Sequence, residues 1–132
     1  MESRKRVLVV EDDPEVLFVW ATALKKLSEV DIEAVEGGRE ALDLFDAQPF
    51  DVVITDLSMP GMSGVELTRE IRRLDADVPI IWVTAHAHYA DRVAEPGTNV
   101  HSFLVKPVSI QQIRQVVRNA LNGEATTTNR AP

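Results

Sequence analysis

Carboxylates, a hydroxyl and a lysine stand within two residues of the ends of short apolar runs of this sequence. These residues are Glu11, Asp12, Asp56, Thr84 and Lys106. Carboxylate oxygens are hard ligands of the kind that Mg2+ prefers. A cation and a hydroxyl suit the oxygens of a phosphoryl group, and a carboxylate can itself be the nucleophile that forms an aspartyl-phosphate. The residue types therefore predict a site that handles a phosphoryl group together with a divalent cation.

Other chemistries find little support in the sequence. It contains neither G-x-G-x-x-G nor a Walker A motif, so nucleotide binding is not expected. Cysteine is absent, which excludes disulfides and thiolate metal sites and fits the reducing cytoplasm, the expected location. A net charge of −7 argues against direct nucleic-acid partners, and no apolar run approaches a membrane span.

Five short runs predict strands that must position these groups. Four are continuously apolar and suit buried strands, whereas the fifth alternates and suits a sheet edge. The four buried runs are Val7–Val10, Val52–Ile54, Ile80–Val83 and Phe103–Val105, and the alternating run is Asp31–Val35. Helical periodicity covers Pro14–Leu27, Arg39–Ala47, Gly64–Leu74 and Ile110–Leu121.

This alternation of strands and helices predicts an α/β fold with a doubly wound, five-stranded parallel sheet. We expect the strand order 2-1-3-4-5 of a flavodoxin-like three-layer sandwich, with the alternating second strand at an edge. Ligands of such sheets bind beyond the carboxyl ends of the strands, at the switch point between strands 1 and 3. The chemical groups above should therefore gather there.

The chain of 132 residues is about one domain long. We expect that domain to cover residues 1–122, with Asn122-Gly123 closing the last helix. Residues 123–132 are polar and predict a disordered C-terminal tail.

Four sequence words, in order, resemble the receiver domains of bacterial response regulators over residues 5 to 121. They are V-L-V-V-E-D-D, D-V-V-I-T-D-L-S-M-P-G-M-S-G, I-I-W-V-T-A and F-L-V-K-P. By that resemblance Asp56 is the phosphoacceptor, and Mg2+ is held by Glu11, Asp12, Asp56 and the backbone carbonyl of Ser58. Asp13 is then a helix cap and not a metal ligand.

The same resemblance assigns the residues that would respond to phosphate. Thr84 would be the switch hydroxyl, Lys106 the cation that pairs with phosphate, and the Lys106–Pro107 bond would be cis. Phe103 occupies the position of the aromatic switch residue, although a plain core role is the alternative because it lacks a tyrosine hydroxyl.

The resemblance implies a phosphorylation-dependent switch and not an enzyme acting on other molecules. A sensor histidine kinase or a histidine phosphotransfer protein would supply the phosphoryl group. The face of the fourth helix, fifth strand and last helix would then change and contact an unidentified protein target, with slow dephosphorylation. A weak dimer is left open.

Two other functions remain as alternatives at this stage. A pseudo-receiver would be an interaction module that is never phosphorylated, and the complete set of acidic pair, Asp56, Thr84 and Lys106 argues against it. An aspartyl-phosphate phosphatase would have a second aspartate two residues after the nucleophile, where this sequence has Ser58.

Two stretches depart from the receiver pattern. Asn99-Val100 stands where receivers commonly have Gly-Ala, and Asn tolerates the left-handed conformation that Gly would supply. Pro96-Gly97 falls where the fourth helix should end, so that helix is expected to be short or loose. Both departures concern the signalling face.

Overall fold

The computed structural model describes residues 4–124 of the chain. Five strands form one parallel sheet in the order β2-β1-β3-β4-β5, which confirms the predicted fold class. They are β1 (Lys5–Val10), β2 (Val30–Val35), β3 (Val52–Asp56), β4 (Ile80–Thr84) and β5 (Ser102–Val105). Residues 125–132 of the predicted tail lie outside the described residues.

Burial follows the sequence pattern of each strand. All five residues of β3 and of β4 are buried, as their continuous apolar runs predict for central strands. β2 has a single buried residue, Val30, and lies at the edge as its alternation predicts. β3 runs on to Asp56, so the predicted phosphoacceptor is the last residue of a central strand.

Four α-helices cover the sheet: α1 (Pro14–Leu24), α2 (Gly38–Ala47), α3 (Gly64–Leu74) and α4 (Ile110–Leu121). A capping box begins α3 at Ser63 and another begins α4 at Ser109. α1 ends at Leu24 and not at Leu27, so that boundary was wrong. The amides of Lys26 and Leu27 each bond to a carbonyl three residues back, which tightens the chain out of the α-helix.

The sheet buries a separate apolar cluster on each face. α1 and α4 pack on one cluster, which includes Trp20, Leu24 and Ile113. α2 and α3 pack on the other, which includes Trp82 and Phe103. Helices on both faces leave the carboxyl ends of the strands open as the place where polar groups can collect.

The connection from β4 to β5 holds a short 3-10 helix, Ala87–Arg92, where a receiver would have its fourth α-helix. Pro96-Gly97 follows it closely, as the sequence predicts for a short element. Asn99 has a φ of 49°, the left-handed conformation expected of it. No helix within residues 4–124 is long and apolar enough to cross a membrane.

Candidate functional site

Three carboxylates meet beyond the ends of β1 and β3. One ligand oxygen from each of Glu11, Asp12 and Asp56 lies within 4.8 Å of the other two. Glu11 is 1% exposed and Asp56 6%, whereas Asp12 is half-buried. Like charges this close repel each other unless a cation intervenes. The structure thus gathers the three acidic residues that the sequence predicted.

Lys106 supplies a cation to this cluster from the end of β5. Its Nζ donates to Glu11 Oε1 at 2.8 Å and to Asp56 Oδ2 at 2.9 Å. Its backbone amide bonds to the Thr84 carbonyl at 2.8 Å, which continues the pairing of β4 and β5 past the strand ends. The Lys106–Pro107 bond is cis, as the resemblance implied.

Backbone amides orient the carboxylates. Asp56 Oδ1 accepts from the amides of Leu57 at 2.6 Å and Ser58 at 3.3 Å. Glu11 Oε2 accepts from the amide of Asp13 at 2.9 Å. Asp13 Oδ1 in turn accepts from the Glu15 amide and caps α1, the role that was predicted for it.

The burial of this cluster is reflected in its acid–base properties. Burial raises the pKa of Glu11 to about 7, and the nearby Asp56 adds to the rise while hydrogen bonds from Lys106 and the Asp13 amide oppose it. Burial alone would lower the pKa of Lys106, but its hydrogen bonds to Glu11 and Asp56 outweigh burial and raise it. Lys106 is therefore fully charged at neutral pH.

Thr84 lies at the end of β4, one position beyond Val83, which pairs with Asp56. Its hydroxyl oxygen accepts from the amide of His86 at 3.1 Å. Within residues 4–124, no hydrogen bond joins Thr84 to Asp56. The structure thus places Thr84, which is fully buried, at the strand end next to that of Asp56 without a hydrogen bond between the two side chains.

Phe103 lies inside β5, three residues before Lys106. It pairs with Trp82 across β4 and β5, is 2% exposed, and belongs to the cluster under α2 and α3. Ser58 is exposed, and its amide bonds to Asp56.

Two residues of the site were missed by sequence reasoning. No chemical role was predicted for Trp20 of α1, yet Lys106 Nζ lies 5.4 Å from its ring centre. Gly64, the first residue of α3, lies so close to β3 that an added Cβ would stand 2.1 Å from the Asp56 carbonyl oxygen. The glycine that follows M-P-G-M-S was a sequence signal for Gly64. No signal indicated the contact of Trp20 with Lys106, because 85 residues lie between them.

Residues 7–118 match the family described as the response regulator receiver domain. The chain belongs to this family. It is 36% identical over 117 residues to the sensor protein GacS of Pseudomonas syringae pv. syringae, covering 85% of this chain and 13% of GacS. It is 36% identical over 123 residues to the transcriptional regulatory protein GlrR of Escherichia coli (strain K12), covering 93% of this chain and 28% of GlrR.

Solved receiver structures have the same architecture. The response regulator TrrA of Thermotoga maritima, solved in complex with Mg2+-BeF, is 34% identical with a TM-score of 0.78 over 89% of this chain and 99% of that chain. The chemotaxis response regulator CheY4 of Vibrio cholerae is 25% identical with a TM-score of 0.80 over 90% and 100%. The receiver domain thus spans small parts of GacS and GlrR but almost all of these two solved chains.

Proposed function

We propose that this receiver domain is a phosphorylation-dependent switch whose phosphoacceptor is Asp56. The observation that carries the proposal is the ammonium of Lys106, which contacts both Asp56 and Glu11 while Asp12 lies beside them. A structural ion pair would need only one buried carboxylate for one lysine. Here one cation faces three carboxylates, a surplus of negative charge that a second cation would relieve.

The donor set fits Mg2+, which takes oxygen ligands and keeps several waters. Glu11, Asp12 and Asp56 would hold it together with the carbonyl of Ser58. When bound, the ion would neutralise oxygens of the incoming phosphoryl group. The likeness to TrrA, solved with Mg2+-BeF, supports this assignment at 34% identity.

The remaining chemistry falls to side chains of the chain itself. A carboxylate oxygen of Asp56 would attack phosphorus, the bond from phosphorus to the donor would break, and the donor would leave with that electron pair. Lys106 would pair with an oxygen of the new acyl phosphate. The Thr84 hydroxyl oxygen already accepts a bond from His86, so its own proton is free to be donated to the phosphoryl group.

A sensor histidine kinase or a histidine phosphotransfer protein would be the donor, in the cytoplasm. Signal output would run through the face of the 3-10 helix, β5 and α4, with Thr84 and Phe103 as the switch residues, toward a protein target. Water would later hydrolyse the acyl phosphate slowly. The likeness to a sensor protein and to a transcriptional regulator supports a place in phosphorelay signalling.

Intact mass after incubation with Mg2+ and acetyl phosphate tests the proposal. Wild type should gain one phosphoryl group, about 80 Da. Asp56→Asn should gain nothing, whereas Asp46→Asn, an exposed aspartate on α2, should behave as wild type. Chelation of Mg2+ should slow the reaction severely. An adduct that persists in Asp56→Asn, or none in wild type, would contradict the proposal.

A further inference from the structure

We propose that Trp20 is a positioning residue for phosphorylation, because its indole ring holds the ammonium of Lys106 against Asp56. The inference rests on the proposed function and names a residue outside the acidic cluster. Trp20 lies in α1, which starts directly after the acidic pair and is fixed there by its Asp13 cap. The ring is 4% exposed and packs in the cluster under α1 and α4.

The ammonium of Lys106 is contained from several sides. Glu11 and Asp56 accept two of its three N–H groups, and the Trp20 ring centre lies 5.4 Å from Nζ. A cation within about 6 Å of an indole centre is attracted by the negative face of the ring. Trp20 thus favours the same position of the ammonium that the two carboxylates favour.

Solvent competes with the two carboxylates for the ammonium. A cavity of about 590 Å3 opens beside the pair, and its lining includes Glu15, Trp20, Lys106 and Pro107. The Lys106 side chain is 26% exposed, so part of it already faces water. Lysine has four rotatable side-chain bonds and is strongly hydrated, so the carboxylates have to compete with solvent for it.

This competition becomes decisive during phosphoryl transfer. The Asp56 oxygen that accepts from Lys106 is part of the reacting carboxylate, so Lys106 must exchange that contact for a phosphoryl oxygen. The Trp20 ring takes no part in the bonds that change and can hold the ammonium throughout. Its removal should therefore slow phosphorylation without removing any group that contacts the phosphoryl donor.

Phosphorylation rates of three variants test the proposal, with acetyl phosphate and Mg2+ as the probe. Trp20→Met keeps an apolar side chain without an aromatic face and should react about three- to tenfold more slowly, the range of a partly desolvated cation–π contact. Trp20→Phe restores a face and should remain within about twofold of wild type. Leu24→Ala removes buried volume from the same helix and cluster, so it should lower stability and leave the rate unchanged.

A second measurement needs no phosphate. The side-chain amino group of Lys106, observed by NMR in 15N-lysine-labelled protein, should show an upfield ring-current shift in wild type and in Trp20→Phe. The shift should be lost in Trp20→Met and kept in Leu24→Ala. If Trp20→Met does not fold, the wild-type shift alone decides, since its absence would overturn the contact.

The outcomes separate this inference from the proposed function. If wild type is phosphorylated on Asp56 and Trp20→Met reacts at the wild-type rate, positioning by Trp20 is wrong and the proposed function stands. A Phe variant as slow as the Met variant, or a Leu24→Ala variant equally slow, would reduce Trp20 to a packing residue. If wild type takes no phosphate, the proposed function fails, and the lysine shift still tests the contact.

Discussion

The turn after β3 and the segment after β4 leave neighbouring strands of one sheet, yet different forces hold them. After β3, the backbone itself is packed: the Gly64 amide bonds to the Leu57 carbonyl at 3.0 Å, and Leu57 is fully buried. After β4, the 3-10 helix Ala87–Arg92 has no buried residue and no side-chain cap. The first region follows Asp56, the proposed phosphoacceptor, and the second carries the departures from the receiver pattern.

Arginines of α3 hold the segment after β4 through an ion pair and hydrogen bonds. Glu95 forms ion pairs with Arg69 and with Arg92, the latter at 2.7 Å. Arg72 donates to the carbonyls of Thr98 at 2.9 Å and of Asn99 at 2.8 Å. These contacts are made by long, partly exposed side chains, and such contacts open more easily than a packed backbone does.

The two regions differ in the way that a phosphorylation site and a signalling face require. A phosphorylation site needs its nucleophile and cations held within fractions of an ångström, which close backbone packing achieves. A signalling face needs two arrangements of similar free energy, and a segment held by a few side-chain contacts can have them. We therefore expect backbone changes to disrupt the first region and side-chain changes to loosen the second.

The largest expected loss of stability comes from replacing Gly64, which follows the turn after β3, with alanine. The same replacement at Gly97, in the segment after β4, is the comparison. At Gly64 the new Cβ would stand 2.1 Å from the Asp56 carbonyl oxygen and 2.8 Å from Leu57 Cα, so backbone must move. Gly64→Ala should lose about 3 kcal/mol of unfolding free energy or more. Gly97→Ala meets nothing within 4 Å and has only the strain of a φ of +86°, about 1 kcal/mol.

Urea unfolding of Gly64→Ala and Gly97→Ala measures the two losses of unfolding free energy. The phosphorylation rate should also fall in Gly64→Ala, because the displaced carbonyl belongs to Asp56, and stay near wild type in Gly97→Ala. Equal losses of stability in the two variants would contradict the view that backbone packing holds the turn after β3 more tightly than the segment after β4.

The rigid region, which comprises the acidic site and the turn after β3, was largely predictable from sequence because its signals lie in residues close together in the chain. An apolar run that ends in an acidic residue predicts both the strand and the chemistry, and parallel strands bring their ends together without further information. Asp56 and the acidic pair were placed in this way. The capping box at Ser63 likewise depends on residues three apart.

The adjustable region, which is the segment after β4, was less predictable because its residues contact residues that are far away in the sequence. Pro96-Gly97 indicates that a helix is short, but nothing in the sequence shows that Arg72 will bond to the carbonyl of Asn99. The contact between Trp20 and Lys106 has the same character. Such pairs follow from the packing of whole elements, whereas strand ends follow from the chain order.

A smaller effect is expected from removing one α3 arginine. Arg72→Met keeps the apolar stem but loses the donors to the carbonyls of Asp75, Thr98 and Asn99, and a hydrogen bond from a charged group contributes about 1.5–3 kcal/mol. Amides of residues 91–100 should then exchange with solvent about tenfold faster, while those of α1 remain as in wild type.

Arg73→Met is the matched control. Arg73 is the next residue along α3 and is exposed, and its one ion pair within residues 4–124 is with Glu70 of the same helix. It should leave exchange after β4 unchanged. In wild type, amides from Asp91 to Glu95 should already exchange faster than those of α1 or α4. Protection there equal to that of α1 would contradict the view that this segment is the adjustable one.

The smallest effect tests the charge balance of the rigid region. A ligand oxygen of Asp12 lies within 4.8 Å of those of Glu11 and Asp56, whose carboxylates share the ammonium of Lys106, so repulsion among the three costs stability when no other cation is bound. Asp12→Asn removes one negative charge at almost constant shape. In metal-free buffer it should raise the melting temperature by roughly 2 °C, equivalent to about 0.5 kcal/mol, where most substitutions lower it.

Titration with Mg2+ makes this small effect decisive. Wild type should gain stability as Mg2+ is added, because the ion binds the folded chain and not the unfolded one. Asp12→Asn should lose most of that gain, so the order of stability of the two proteins should reverse at high Mg2+. Monovalent salt should narrow the metal-free difference only partly, since Asp12 is half-buried. An Asp12→Asn variant that is less stable without metal and still responds fully to Mg2+ would make Asp12 a structural acceptor. The surplus of negative charge would then need another explanation than a metal site.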